Sequence, residues 1–228
     1  MPVPEAIVCV TDPPYGVNIG AKNRMLNSID SHDRQPTDIK SDTLSPDELR
    51  AVLLPSFINI RELMATPECT YFVTSPQGGE LSTMMLLVMG DAGLPVRHVL
   101  IWKKNQPTFS LGRLDYDYIH EPILMTWTDR HKRIMAGEHK TSVLQIDRER
   151  ACDKHITTKP VALYANAYQN HSEEDDVVVD PFAGSGTAFI AAEQLARRCI
   201  GIEIEPKYCD VIVERWQNFT GKKAKRSK

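Results

Sequence analysis

At 228 residues, with 42% apolar and 25% charged side chains, the chain suits one globular domain with a sizeable core. Its net charge of -3 excludes a globally basic nucleic-acid binder, so any such contact has to come from a local patch. No apolar run approaches a membrane span, and the N-terminus MPVPEAIV lacks the basic and apolar regions of a signal peptide.

Five scattered cysteines (Cys9, Cys69, Cys152, Cys199, Cys209) contain no CxxC pair, which reads as reduced intracellular thiols without a structural zinc. Ala6 to Thr11, AIVCVT, is a short buried strand by composition that runs into Asp12-Pro13-Pro14-Tyr15-Gly16. Two prolines cannot continue a ladder, so the strand stops and the loop is stiff. A carboxylate, a constrained carbonyl and an aromatic ring are thereby brought together at a strand's C-terminal end. In open α/β sheets this is the edge where ligands bind.

Residues 17 to 45 are polar and weakly periodic, a long loop. Ser45-Pro46-Asp47-Glu48 then starts a helix, with Ser45 as N-cap, Pro46 at the first helical position and Pro55 as an expected kink or break. Strands are expected at Thr70 to Thr74, His98 to Trp102 and Tyr118 to Trp127, the last interrupted at Pro122. A mostly apolar helix is expected at Leu81 to Met89. Alternating strands and helices argue for a mainly parallel sheet covered on both faces.

From Thr128 to Arg150 the character changes. Arg130, His131, Lys132, Arg133, His139, Lys140, Arg148 and Arg150 surround one short strand, TSVLQI, in either a solvated excursion or a nucleic-acid-facing lobe. HITTKP leads into a helix at Val161 to Gln169. The tail from Gly221 to Lys228, GKKAKRSK, is expected to be basic and disordered.

Val177 to Pro206 is the clearest unit: a strand ending at Asp180, a turn at Gly184-Ser185-Gly186, a helix with apolar spacing, and a second strand, Cys199 to Ile204. Glu203 follows Gly184 by nineteen residues, which suits the ribose hydroxyls of a nucleoside. Ala188 and Phe189 stand where a dinucleotide fingerprint wants its third glycine. The turn therefore suits a nucleoside without a pyrophosphate, such as S-adenosylmethionine, better than NAD.

The Asp-Pro-Pro-Tyr block supplies a matching chemistry. An exocyclic amine on a base is a poor nucleophile because its lone pair is conjugated with the ring. The Asp12 carboxylate and the Pro13 carbonyl, aimed at its two hydrogens, would draw the nitrogen towards sp³ geometry for in-line attack on a sulfonium methyl. Tyr15 offers a flat face for an extruded base.

With DPPYG at 12 to 16, YIHEPILM at 118 to 125, TKP at 158 to 160, DPFAGSGT at 180 to 187 and GIEIEPKYCDVIVERW at 201 to 216, the chain resembles the β-class, permuted DNA amino-methyltransferases. In that family the catalytic block precedes the cofactor block. The resemblance implies a circularly permuted class I methyltransferase fold, Rossmann-like and α/β, in which one edge strand is lacking or reduced, since only eleven residues precede Asp12. It implies a single domain at 1–220, with 128–154 as a reduced target-recognition insertion.

It further implies S-adenosylmethionine as cofactor. Asp180, Phe182, Ala183, Gly184, Ser185, Gly186 and Thr187 would line its methionine part, Thr158 and Lys159 would meet its carboxylate, and Glu203 its ribose. Asp12, Pro13, Pro14 and Tyr15 would form the catalytic block, with no metal. The implied partner is double-stranded DNA in a prokaryotic or phage-infected cytoplasm, with no membrane, and the short recognition lobe admits a homodimer. Adenine N6 is favoured because many cytosine-N4 enzymes of the family carry Ser in place of Asp12. Cytosine N4, or a degenerate DNA-binding subunit, stays open. Carbon-5 methylation is rejected for want of a Pro-Cys, RNA and protein-glutamine enzymes for Asp12 and the block order, and a dehydrogenase for want of the dinucleotide glycines.

Overall fold

The structure is a computed structural model that describes residues 5–16, 44–64, 68–108, 115–130, 140–148 and 158–226. Its strands are β1 (Ala6–Thr11), β2 (Thr70–Thr74), β3 (His98–Thr108), β4 (Tyr118–Trp127), β5 (Val143–Gln145), β6 (Val177–Asp180) and β7 (Arg198–Gly201). They form one sheet in the order β5-β3-β4-β2-β1-β6-β7. Only β4 runs against its neighbours; every other pairing is parallel. The central strands β2 and β6 are buried at every residue, which is why their sequences, TYFVT and VVVD, read as unbroken β-branched and aromatic runs.

Helices cover both faces. On one lie α1 (Pro46–Leu63) and α2 (Gly79–Asp91), whose Leu49, Leu53, Phe57, Met85 and Val88 pack with Cys9, Tyr71, Val73 and Val179. On the other lie α3 (Val161–His171) and α4 (Thr187–Gln194), whose Leu163, Tyr164, Tyr168, Ala188 and Ala191 pack with Val8, Val10, Phe72 and Val178. Adjacent residues such as Tyr71 and Phe72 fall into opposite clusters, as the pleat requires. The last helix, α5 (Pro206–Thr220), buries none of its residues and lies against α4, with Trp216 Nε1 donating to Glu193 Oε2 at 3.1 Å.

Several boundaries differ from the sequence reading. Pro55 sits inside α1 on its exposed side without ending it, and β4 runs straight through Pro122, whose carbonyl accepts from Ser75 N–H at 3.0 Å. β3 continues six residues beyond Trp102, to Thr108. The final strand stops at Gly201 instead of Ile204, because Ile202 turns across the end of β6. Its N–H donates to Asp180 O at 3.0 Å, and its carbonyl accepts from Ala183 N–H at 2.9 Å. Glu203 is thereby carried from the strand into the loop beside the glycine turn.

Among the described residues no strand pairs beyond β7. The loop at 17–43 and the basic positions His131, Lys132, Arg133, His139 and Arg150 lie outside the described residues. Arg130, Lys140 and Arg148 lie within them and are exposed. In the tail, residues 221–226 are exposed, and Lys222 Nζ meets Glu193 Oε1 at 2.6 Å. No helix among the described residues is long and apolar enough to cross a membrane.

Candidate active site

β1 connects towards β2 on one side, and β6 connects towards β7 on the other, so the chain reverses its direction of progress between β1 and β6. The crevice outside their C-terminal ends is where a sheet of this kind takes ligands. Asp12 follows the end of β1, and Asp180 ends β6. The antiparallel course of β4 brings the start of that strand, with His120 and Glu121, to the same edge.

A hydrogen bond between sequence-distant residues joins the two blocks: Thr11 Oγ1 donates to Asp180 Oδ1 at 2.7 Å. Asp180 also accepts from Phe182 N–H at 3.1 Å, and its side chain is hydrogen-bonded to Tyr164. It is 1% exposed, and burial pushes its carboxyl up to about 7 despite these bonds. Asp180 therefore braces the crevice from inside its wall.

Asp12 is set differently. Tyr15 Oη donates to its Oδ1 at 3.0 Å, the Thr74 hydroxyl donates to the same oxygen, and Lys159 Nζ stands 2.9 Å from it. Pro13 beside it is buried, and Pro14 and Tyr15 are half-buried. The Lys159 ammonium lies 5.6 Å from the Tyr15 ring centroid and 6.0 Å from that of Trp102, and it also contacts Glu121 Oε2 at 2.9 Å. Burial draws Lys159 down, but the carboxylates of Asp12 and Glu121 outweigh it and hold the ammonium above the ordinary lysine range. Burial and the Asp12 charge push the Tyr15 phenol up, so that hydroxyl remains a proton donor at neutral pH.

The glycine turn forms the other side of the crevice. Gly184 has φ +50°, the left-handed region open to glycine, and among the described residues the nearest atom to a side chain placed there is Phe182 O, 3.9 Å away. Its N–H donates to Glu203 Oε2 at 2.7 Å, and Glu205 N–H donates to Glu203 Oε1 at 2.9 Å. A carboxylate so held is fixed in direction and keeps lone pairs for two further donors, as a ribose edge would supply. Gly186 has φ +82° and lies against α5, where an added Cβ would come within 2.9 Å of Ile212 Cγ1. From α5, Arg215 donates to Ser185 O at 2.7 Å and to Ser185 Oγ at 3.0 Å. Thr187 Oγ1 donates to Lys159 O at 3.2 Å, which ties the turn to the TKP segment, where Thr158 is half-buried. Ala183 is buried and Phe182 half-buried against the α1 face.

A glycine turn, a fixed acid beyond the neighbouring strand and an anchored carboxylate thus share one edge. A profile of the DNA methylase family, the N6/N4 type, matches residues 7–214. The chain belongs to the DNA methylase family. As a member of that family, the methylase uses S-adenosylmethionine as cofactor. It is 26% identical over 219 residues to the Type II methyltransferase M2.LlaDCHI of Lactococcus lactis subsp. cremoris, a match covering 90% of this chain and 79% of that protein. Its fold matches the M1.HpyAVI–SAM complex with a TM-score of 0.64, at 21% identity and covering 92% of this chain and 89% of that one. It also matches the cytosine-N4-specific PvuII DNA methyltransferase with a TM-score of 0.67, at 18% identity and covering 93% and 80%.

Thr11, Thr74, Lys104, Glu121 and Arg215 of the methylase carry no local sequence signal for their roles. Each acts across the fold, and the first two sit at strand ends as threonines where an all-apolar strand would have closed. Glu121 shows within the YIHEPILM motif only as an acid in a mostly apolar strand.

Proposed function

We propose that the methylase transfers a methyl group to the exocyclic N6 of adenine in double-stranded DNA, with the target base rotated out of the helix. The observation that carries this reading is the setting of Asp12, anchored at the switch-point crevice one residue beyond the Thr11–Asp180 bond. Bound S-adenosylmethionine supplies the electrophilic methyl on its sulfonium sulfur. Residues 182–187 and 158–159 would hold its methionine part, and Glu203 its ribose. Asp12 and the Pro13 carbonyl would accept hydrogen bonds from the two amine hydrogens and free the lone pair, while Tyr15 backs the base. The N–C bond forms as the sulfonium S–C bond breaks, S-adenosylhomocysteine leaves, and the surplus amine proton passes to solvent. The barrier falls by positioning and by acceptors fixed beforehand, without a covalent enzyme intermediate. The exposed Arg130, Lys140 and Arg148 are candidates for phosphate contact, and a bacterial cytoplasm is the setting that the relatives suggest.

The test is incubation with methyl-tritiated cofactor and unmethylated duplex DNA, followed by nucleoside analysis. Label in N6-methyladenine is expected. Label in N4-methylcytosine would overturn the adenine assignment, and no label together with no cofactor binding by calorimetry would leave a degenerate subunit.

A further inference from the structure

Glu121 takes no part in the roles assigned so far. It stands near the start of β4, its side chain 15% exposed, between two ammonium groups. Lys159 Nζ lies 2.9 Å from its Oε2, and Lys104 of β3, with a side chain 3% exposed, is paired with its Oε1. Lys159 in turn reaches Asp12 Oδ1 at 2.9 Å. Four charges therefore alternate in sign across the crevice floor: Asp12, Lys159, Glu121, Lys104.

The contacts on Asp12 are lopsided. The Tyr15 hydroxyl, the Thr74 hydroxyl and the Lys159 ammonium all converge on Oδ1, and Oδ2 takes none of them. Among the described residues three donors fill one carboxylate oxygen, so the free acceptor capacity is on Oδ2. Pinning one oxygen of a planar group also fixes where the other points. The weak member of the clamp is Lys159, a point charge on a flexible four-carbon stem that one anion alone would leave free to pivot. A second anion, Glu121 Oε2 at 2.9 Å, restrains it.

With Asp12 read as the acceptor for the amine, as proposed above, we propose that Glu121 is a positioning residue for methyl transfer: it fixes the Lys159 ammonium on Asp12 Oδ1 and so presents Oδ2 to the target nitrogen. Electrostatics run the same way. Burial alone raises the Glu121 carboxyl, but Lys159 and Lys104 outweigh it and keep the group ionised. Burial lowers Lys104, and Glu121 offsets part of that cost.

Glu121→Gln keeps the volume and removes the charge. Its kcat on unmethylated duplex DNA is expected to fall about tenfold to a hundredfold, with cofactor affinity by calorimetry changed less than about twofold, the split that lost alignment produces. In a Lys159→Met background the same substitution is expected to change kcat less than about twofold, because residues acting as one unit are not additive. Wild-type kcat in Glu121→Gln, beside an inactive Asp12→Asn, overturns the positioning role and leaves the reading of Asp12 intact. Full additivity in the double variant overturns action through Lys159. An Asp12→Asn enzyme that still transfers methyl, or a wild-type protein that transfers none, overturns both. If Glu121→Gln fails to fold by circular dichroism, Glu121→Asp, which keeps the charge and withdraws it by one methylene, takes its place. A lower kcat with cofactor affinity kept supports the role, and wild-type kcat overturns it.

Discussion

Asp180 joins the two blocks of the site, and its burial has a consequence for stability. Its carboxyl is raised from 3.8 to about 7 in the folded protein. The folded state therefore holds the proton more tightly than the unfolded chain does. The stability this gives is complete below about pH 4 and is lost as pH rises through about 7. Asp180→Asn still accepts from Thr11 and Phe182 without a charge to bury. Thermal melts of the cofactor-free protein should show the variant gaining on wild type by a few kcal/mol between pH 4 and pH 8. A constant gap across that range would contradict the burial account. At Gly186, alanine meets both a left-handed φ of +82° and Ile212, so Gly186→Ala is expected to cost about 1–3 kcal/mol in denaturant unfolding. Glu203→Ala removes a fixed acceptor and should weaken S-adenosylmethionine by roughly tenfold to a hundredfold in calorimetry, as loss of charged hydrogen bonds does.

Among the elements, the strand–turn–helix unit at 177–194 was legible from its residues because nearly everything that makes it is local: a β-branched strand, two glycines with φ above zero, and a helix of small residues. The start of α1 was equally plain, since Ser45 and Glu48 exchange backbone and side-chain bonds within one turn. Ser45→Ala should lower stability by about 1 kcal/mol in a chemical melt without altering cofactor binding. The helix α5 was not anticipated. Pro206 at its start, Gly221 at its end and Tyr208, Ile212 and Trp216 at helical spacing mark it, but none of its residues is buried, so the usual apolar stripe is thin. Its work is to hold the glycine turn from behind, through Ile212 and Arg215.

At the scale of the whole molecule, the resemblance carried by the order of the motifs implied a permuted sheet, and in the structure β1 and β6 are parallel neighbours. What lay beyond reach were contacts between residues far apart in the chain. Thr11 and Asp180 are 169 residues apart, and Thr74 and Asp12 are 62 apart, so no spacing within one element hints at either. Further contacts couple the halves: Thr187 beside the glycine turn holds the backbone of Lys159, whose side chain reaches Asp12. Cofactor at a hundredfold excess over its Kd should accordingly stabilise the entire domain by about 2.7 kcal/mol, a rise of roughly 5–10 °C in Tm. The most direct measurement is methyl transfer to duplex DNA by wild type and by Asp12→Ala, alongside calorimetric titration of both with S-adenosylmethionine. The expected result is N6-methyladenine from wild type, no transfer from Asp12→Ala, and cofactor affinity largely retained. Turnover by Asp12→Ala, or a collapse of its cofactor binding, would contradict the division of the crevice into a catalytic and a cofactor side.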